Sequence, residues 1–102
     1  LVDAEFLAAM KPGSILVNTA RGALVDEAAL MDALDRGHLY AAGLDVVDDE
    51  PNVDPRLFTY DNIFALPHIG SATVETRNAM GYCCLDNLDA FFAGRPLPYG
   101  LV

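Results

Sequence analysis

Four residues of this sequence have side chains and settings suited to proton transfer or anion binding: Arg21, Asp45, Glu50 and His68. Arg21 lies in "NTARG" (18–22), with no acid within four residues on either side. A planar guanidinium fork without a local partner suits a carboxylate or phosphate, held bidentately. Gly22 beside it is expected to let a ligand approach the backbone. His68 lies in "LPHIGSAT" (66–73), an otherwise apolar or small stretch. With a reference pKa of about 6.5, an imidazole there can give or take a proton near neutrality. Glu50 lies in "DDEP" (48–51). A carboxylate close to an imidazolium stabilises its charged form and fixes its tautomer. Asp45 closes an apolar run, and a buried aspartate needs a donor, either a backbone amide or a ligand amide. Taken singly, three of these have plainer readings: an arginine that snorkels to solvent or caps a helix, an acid on a solvated loop, and a satisfied histidine at the rim of the core.

The elements that carry these residues give them more meaning. Asp3 caps a short helix bearing Phe6, Leu7 and Met10, which "KPG" (11–13) stops. "SILVN" (14–18) has the short continuous apolar pattern of a strand buried on both faces. "TARGALV" (19–25) reads as a loop. Asp26 caps a second helix, Glu27 suits its first turn, Ala29, Leu30, Ala33 and Leu34 form one face, and Gly37 ends it. "LYAAGLDV" (39–46) is a second strand, its small residues predicting close packing. Residues 47–62 form an acidic, proline-marked loop with a helical turn near 56–60, and "IFAL" (63–66) is a third strand. Ser71 or Thr73 caps a long helix to about Ala93, with Val74, Met80, Cys84, Leu88, Phe91 and Phe92 on its apolar side. Gly94 stops this helix, and an extended tail follows over 94–102.

Alternation of helices and strands predicts an α/β fold, a mostly parallel sheet with flanking helices. In open sheets of this class ligands bind outside the carboxyl ends of the strands. The first strand ends at Asn18 and releases Arg21, the second ends near Asp45 with Glu50 five residues on, and the third ends at Pro67 and releases His68. All four groups therefore emerge at one edge, which predicts a single site.

Composition narrows the function classes. Hydrophobic residues make up 53% of the 102, enough for a packed core. The net charge is −9, from 15 acids against 6 scattered bases, which argues against a nucleic-acid partner. No apolar run reaches the roughly 20 residues a membrane span needs, and no basic leader opens the chain. Leu1 is not a methionine and the chain opens almost directly into a helix, so it reads as a piece of a longer protein. Adjacent Cys83 and Cys84 suit neither a framework disulfide nor a metal site, and read as two buried thiols in a reducing, cytoplasmic setting. A metal hydrolase built on His68, Glu50 and Asp45 would match no common metal motif, so no metal is expected.

A carboxylate-binding arginine with a glutamate-supported histidine suits reversible reduction of a 2-keto acid. None of these residues supplies a hydride, so a cofactor is required. The G-x-G-x-x-G fingerprint that would cradle its pyrophosphate is absent from this chain.

"MKPGSILVNTARGALVDEAAL", "AAGLDVVDDEP" and "LPHIGSAT", in order and in register, closely resemble the C-terminal signatures of D-isomer-specific 2-hydroxyacid dehydrogenases. The resemblance implies that Arg21 binds substrate, that Glu50 is the acid paired with the histidine, and that His68 is the acid/base. It also implies that Asp45 faces the nicotinamide carboxamide of NAD or NADP, that Thr19 and Ala20 pass beside the ring, and that Gly70 lines the same pocket. The chain would be the second half of a Rossmann-like dinucleotide-binding domain (1–93), its long helix 74–93 crossing back to a substrate domain, in a two-domain homodimer. The segment "SATVETRNAM…DNLDAFFAGRPLP" is most similar to the glyoxylate/hydroxypyruvate reductase (glycerate dehydrogenase) branch. A dinucleotide-sensing binding module of the co-repressor type shares these motifs and is the alternative.

Overall fold

The computed structural model describes residues 1–100. They fall into two compact units, Leu1–Gly70 and a second from Ser71 onward. The first begins with helix α1 (Ala4–Ala9), whose Asp3 cap accepts the Phe6 amide at 3.0 Å. Strand β1 (Ser14–Asn18) follows, then helix α2 (Glu27–Asp35), where Asp26 accepts the Ala29 amide at 3.0 Å. Gly37 at φ +66° closes α2, its amide donating to the Leu34 carbonyl and that of His38 to the Ala33 carbonyl. This paired pattern needs a left-handed residue, which glycine supplies without steric cost. Strands β2 (Leu39–Leu44) and β3 (Ile63–Ala65) complete a three-stranded sheet in the order β1-β2-β3, parallel throughout.

Register decides where the loops start. Asn18 pairs with Leu44, and Leu44 pairs with Ala65, so the three strands end level with one another. Behind them, Leu7, Leu30, Leu39 and Leu57 are almost wholly buried. Each contributes about 1.5–3 kcal/mol on leaving water. α1 and α2 pack on one side of the sheet through this core, joined by Met31, Ala33, Leu34, Ala42 and Leu44.

Several boundaries and one burial pattern differ from expectation. β2 ends at Leu44 rather than 46, and β3 at Ala65 rather than 66, because pairing stops where the loops turn away. The 19–25 segment contains a 3-10 turn at Gly22–Leu24, and a second such turn spans Pro55–Thr59, capped by Asp54. β1 is not buried on both faces: among the described residues Ile15 is 56% and Val17 66% exposed.

In the second unit, helix α3 runs Val74–Phe92 with Thr73 as its cap, accepting the Thr76 amide at 3.2 Å. Gly94, at φ +63°, closes it with the same paired pattern used at Gly37. The tail returns along the helix, where the Asn87 side chain accepts the Tyr99 amide at 3.0 Å. The apolar side expected over Val74, Met80, Leu88, Phe91 and Phe92 is present but exposed, and Ala90 is the buried residue of the helix. The two thiols differ from expectation for the same reason: Cys83 is half-buried and Cys84 exposed. The last two residues of the 94–102 tail lie outside the described residues. No helix among the described residues is long and apolar enough to cross a membrane.

Candidate active site

Residues released from the three level strand ends build the site. Beyond β2, Val46 is buried and the chain turns through Asp49, a left-handed residue at φ +52°, to bring Glu50 back over its own loop. Glu50 Oε1 accepts the Val47 amide at 3.0 Å. Its other oxygen, Oε2, lies 2.9 Å from Nδ1 of His68. The hydrogen bond with His68, followed by that from the Val47 amide, holds the Glu50 carboxyl below the usual carboxylate range. Glu50 is thus ionised at neutral pH, and its contact assigns the Nδ1 position of the imidazole to a proton, which leaves Nε2 for an external partner.

His68 also has a left-handed backbone, at φ +55°. Such a conformation costs a non-glycine residue about 1–2 kcal/mol. Asp45 holds it there. This residue is only 5% exposed, and its Oδ1 accepts the Ile69 amide at 2.8 Å while Oδ2 accepts the Gly70 amide at 2.7 Å. The donors that a buried aspartate requires are therefore backbone amides of the segment that follows the histidine. A Cβ on Gly70 would stand 2.8 Å from Asp45 Oδ2, so the turn closes this tightly only with glycine.

Arg21 leaves β1 through a separately braced loop. Asn18, 7% exposed, donates to the Arg21 carbonyl at 2.9 Å and accepts the Ala20 amide at 3.1 Å. The Arg21 guanidinium is exposed, bonds the Ala20 carbonyl at 2.6 Å, and among the described residues forms no ion pair. The structure thus brings Glu50 and His68 into direct contact, bonds Asp45 to the backbone beside them, and leaves Arg21 free of both. Gly22 serves differently from expectation: its face is filled by the protein rather than open to a ligand. A Cβ there would lie 2.0 Å from the Val47 carbonyl carbon and oxygen and 2.4 Å from the Asp48 nitrogen. The arginine loop is therefore seated on the loop that carries Glu50, and Glu27 Oε1 secures that loop by accepting the Asp48 amide at 2.7 Å.

Asn18 and Glu27 are the contributors to the site that residue chemistry overlooked. Asn18 alone carried a signal, a polar side chain closing an apolar strand. Beside the Glu50–His68 pair lies a mostly apolar hollow of about 360 Å³, walled by Val47, Val53, Phe58 and Leu66. Among the described residues no three His, Cys, Asp or Glu side chains are grouped as metal ligands would be.

Parallel strands with their polar groups gathered at the carboxyl edge define a Rossmann-like dinucleotide-binding domain. The chain belongs to the D-isomer specific 2-hydroxyacid dehydrogenase family, whose NAD binding domain matches residues 1–70. It is 54% identical over 96 residues to the glyoxylate/hydroxypyruvate reductase B of Pectobacterium atrosepticum, covering 93% of this chain and 30% of that protein. It is 45% identical over 97 residues to the hydroxyphenylpyruvate reductase of Plectranthus scutellarioides, covering 95% and 31%. Among solved structures, the NADPH-dependent glyoxylate/hydroxypyruvate reductase of Sinorhizobium meliloti, in complex with NADP and malonate, is 49% identical with a TM-score of 0.81, covering 89% of this chain and 28% of that one. The D-mandelate dehydrogenase of Rhodotorula graminis, in its apo form, is 42% identical with a TM-score of 0.88, covering 100% and 30%. The chain spans about 30% of the length of the curated relatives it matches.

The residues present suit the nicotinamide end of a dinucleotide. Each Asp45 oxygen accepts one backbone amide and keeps a second acceptor direction for a carboxamide. Gly70, whose amide Asp45 accepts, is exposed, as are Thr19 and Ala20 just after β1.

Proposed function

We propose that the protein containing this chain is an NAD(P)-dependent D-2-hydroxyacid dehydrogenase that reduces a small 2-keto acid, with glyoxylate or hydroxypyruvate as the substrate. The observation that carries the reading is the 2.9 Å bond between His68 Nδ1 and Glu50 Oε2 at the level strand ends. The Arg21 fork holds the substrate carboxylate bidentately. His68 delivers the Nε2 proton to the carbonyl oxygen, and ionised Glu50 stabilises the imidazolium before that transfer. Asp45, Thr19, Ala20 and Gly70 would hold the nicotinamide of NAD or NADP, which when bound in its reduced form would supply the hydride that none of these side chains can. In the reverse direction the same imidazole takes the hydroxyl proton.

Family membership supports a cytoplasmic homodimer of two-domain chains, acting on small molecules rather than nucleic acid or membrane. The exposed apolar side of α3 supports a role for that helix in reaching a separate substrate domain.

The test uses the full-length protein with glyoxylate or hydroxypyruvate and either reduced cofactor, followed at the nicotinamide absorbance band. Rapid oxidation is expected, and a His68→Gln variant should lose about a hundredfold or more in kcat. Cofactor binding without turnover would instead establish the co-repressor type of module, and unchanged turnover in the variant would remove His68 from the mechanism.

A further inference from the structure

Asn18 and Asp45 are the two buried polar residues among those described. Asp45 is bonded to the His68 segment and has a place in the proposed nicotinamide site, whereas Asn18 has been given no role in the reaction. Its side chain nonetheless grips the backbone on both sides of the Ala20–Arg21 peptide, accepting from Ala20 N–H at 3.1 Å and donating to the Arg21 carbonyl at 2.9 Å. Its own carbonyl accepts the Asp45 amide at 2.9 Å, so the two buried residues are joined by one backbone bond.

We propose that Asn18 is a positioning residue for Arg21: its amide fixes the backbone from which the guanidinium reaches the substrate carboxylate. The inference rests on the substrate-binding reading of Arg21. The residue type follows from the task. One short planar group must present a donor and an acceptor together, which asparagine does and aspartate, alanine and serine do not at this reach. Burial keeps water from substituting for the lost bonds. The rest of the loop is secured independently, by the seat of Gly22 on Val47 and Asp48 and by Val2, which bonds the Leu24 carbonyl and the Asp26 amide. Losing the Asn18 amide therefore frees residues 19–21 without releasing the remainder.

The test is steady-state kinetics of the full-length protein carrying Asn18→Ala, Asn18→Asp, Arg21→Lys, and Asn18→Ala with Arg21→Lys together. Asn18→Ala should raise KM for the keto acid about tenfold, the factor that loss of one buried hydrogen-bond partner carries, while kcat stays within about threefold. Asn18→Asp keeps the acceptor for Ala20 but replaces the donor with a carboxylate oxygen facing the Arg21 carbonyl, so its KM should rise by at least about tenfold. Added to Arg21→Lys, Asn18→Ala should cost less than about twofold more, because the fork it positions is already gone. An unchanged KM, a fall in kcat alone, or full additivity in the double variant would each overturn the proposal. If Asn18→Ala fails to fold, the isosteric Asn18→Asp carries the same test through its KM. Should Arg21→Lys alone leave KM unaltered, the reading of Arg21 fails first, and the two failures are thereby separated.

Discussion

Replacing Gly22 by alanine tests whether the arginine loop and the glutamate loop are one mechanical piece. The added Cβ would lie 2.0 Å from the carbonyl carbon and oxygen of Val47 and 2.4 Å from the Asp48 nitrogen. These are backbone atoms, so no rotamer change relieves the overlap, and one loop must retreat by about 1.5 Å to reach an ordinary contact of about 3.5 Å. That movement strains two anchors, the Val47 amide on Glu50 Oε1 and the Asp48 amide on Glu27 Oε1. Each is worth about 1 kcal/mol net, and overpacking of this kind costs about 1–3 kcal/mol, so the expected loss is about 3–5 kcal/mol. Because one of those anchors orients Glu50, turnover should fall as well. Urea denaturation of the full-length variant measures the first effect and steady-state kinetics the second. A loss below about 1 kcal/mol with unchanged kcat would refute the reasoning, since the loops would then be shown to separate freely.

A matched control comes from Gly81→Ala in the middle of α3, where nothing lies within 4 Å of the new methyl group. It should raise stability by about 0.5–1 kcal/mol through helix propensity alone, and a loss in the same denaturation assay would contradict that placement. Glu50→Gln should lower kcat about tenfold, less than the roughly hundredfold or greater loss expected for His68→Gln, because it removes the support and keeps the proton donor. Glu50→Gln also has a signed pH dependence. The Glu50 carboxyl is lowered from its ordinary value of 4.5, so between those two values the unfolded chain binds more protons than the folded one. Its contribution to stability is fully present above pH 4.5 and fades as pH falls through the lowered value. The stability gap between native protein and variant should accordingly close in acid, and a gap that widened there would reverse the sign of the argument.

Much of this arrangement is legible from the sequence, and the parts that are not share a cause. Local chemistry reports itself: Asp3 and Asp26 cap helices, Thr73 is one of two caps offered for the third, Gly37 and Gly94 end helices, and the apolar runs at 14–18, 39–46 and 63–66 contain the three strands that pair in parallel. The shared edge of Arg21, Glu50 and His68 follows from strand order, because parallel strands must point their carboxyl ends the same way. Contacts made by backbone atoms across long stretches of chain leave no such trace. Neither the seat of Gly22 on Val47 nor the bond of Glu27 to Asp48 alters any periodicity. Burial of β1 does not follow from its apolar run, which records what a strand can be covered by, while Ile15 and Val17 stand exposed among the described residues. The same holds for the apolar side of α3.

Asp45 grips the segment after the histidine only through the amides of Ile69 and Gly70. Every residue but proline carries that amide, so the grip does not depend on which side chain stands at 69. Position 70 is the opposite case, closed to any Cβ by the 2.8 Å approach of the carboxylate oxygen. The turn thus separates adjustable from untouchable ground at adjacent positions. Residue 69 can therefore be varied while the imidazole stays where it is, because neither bond that holds the turn passes through its side chain.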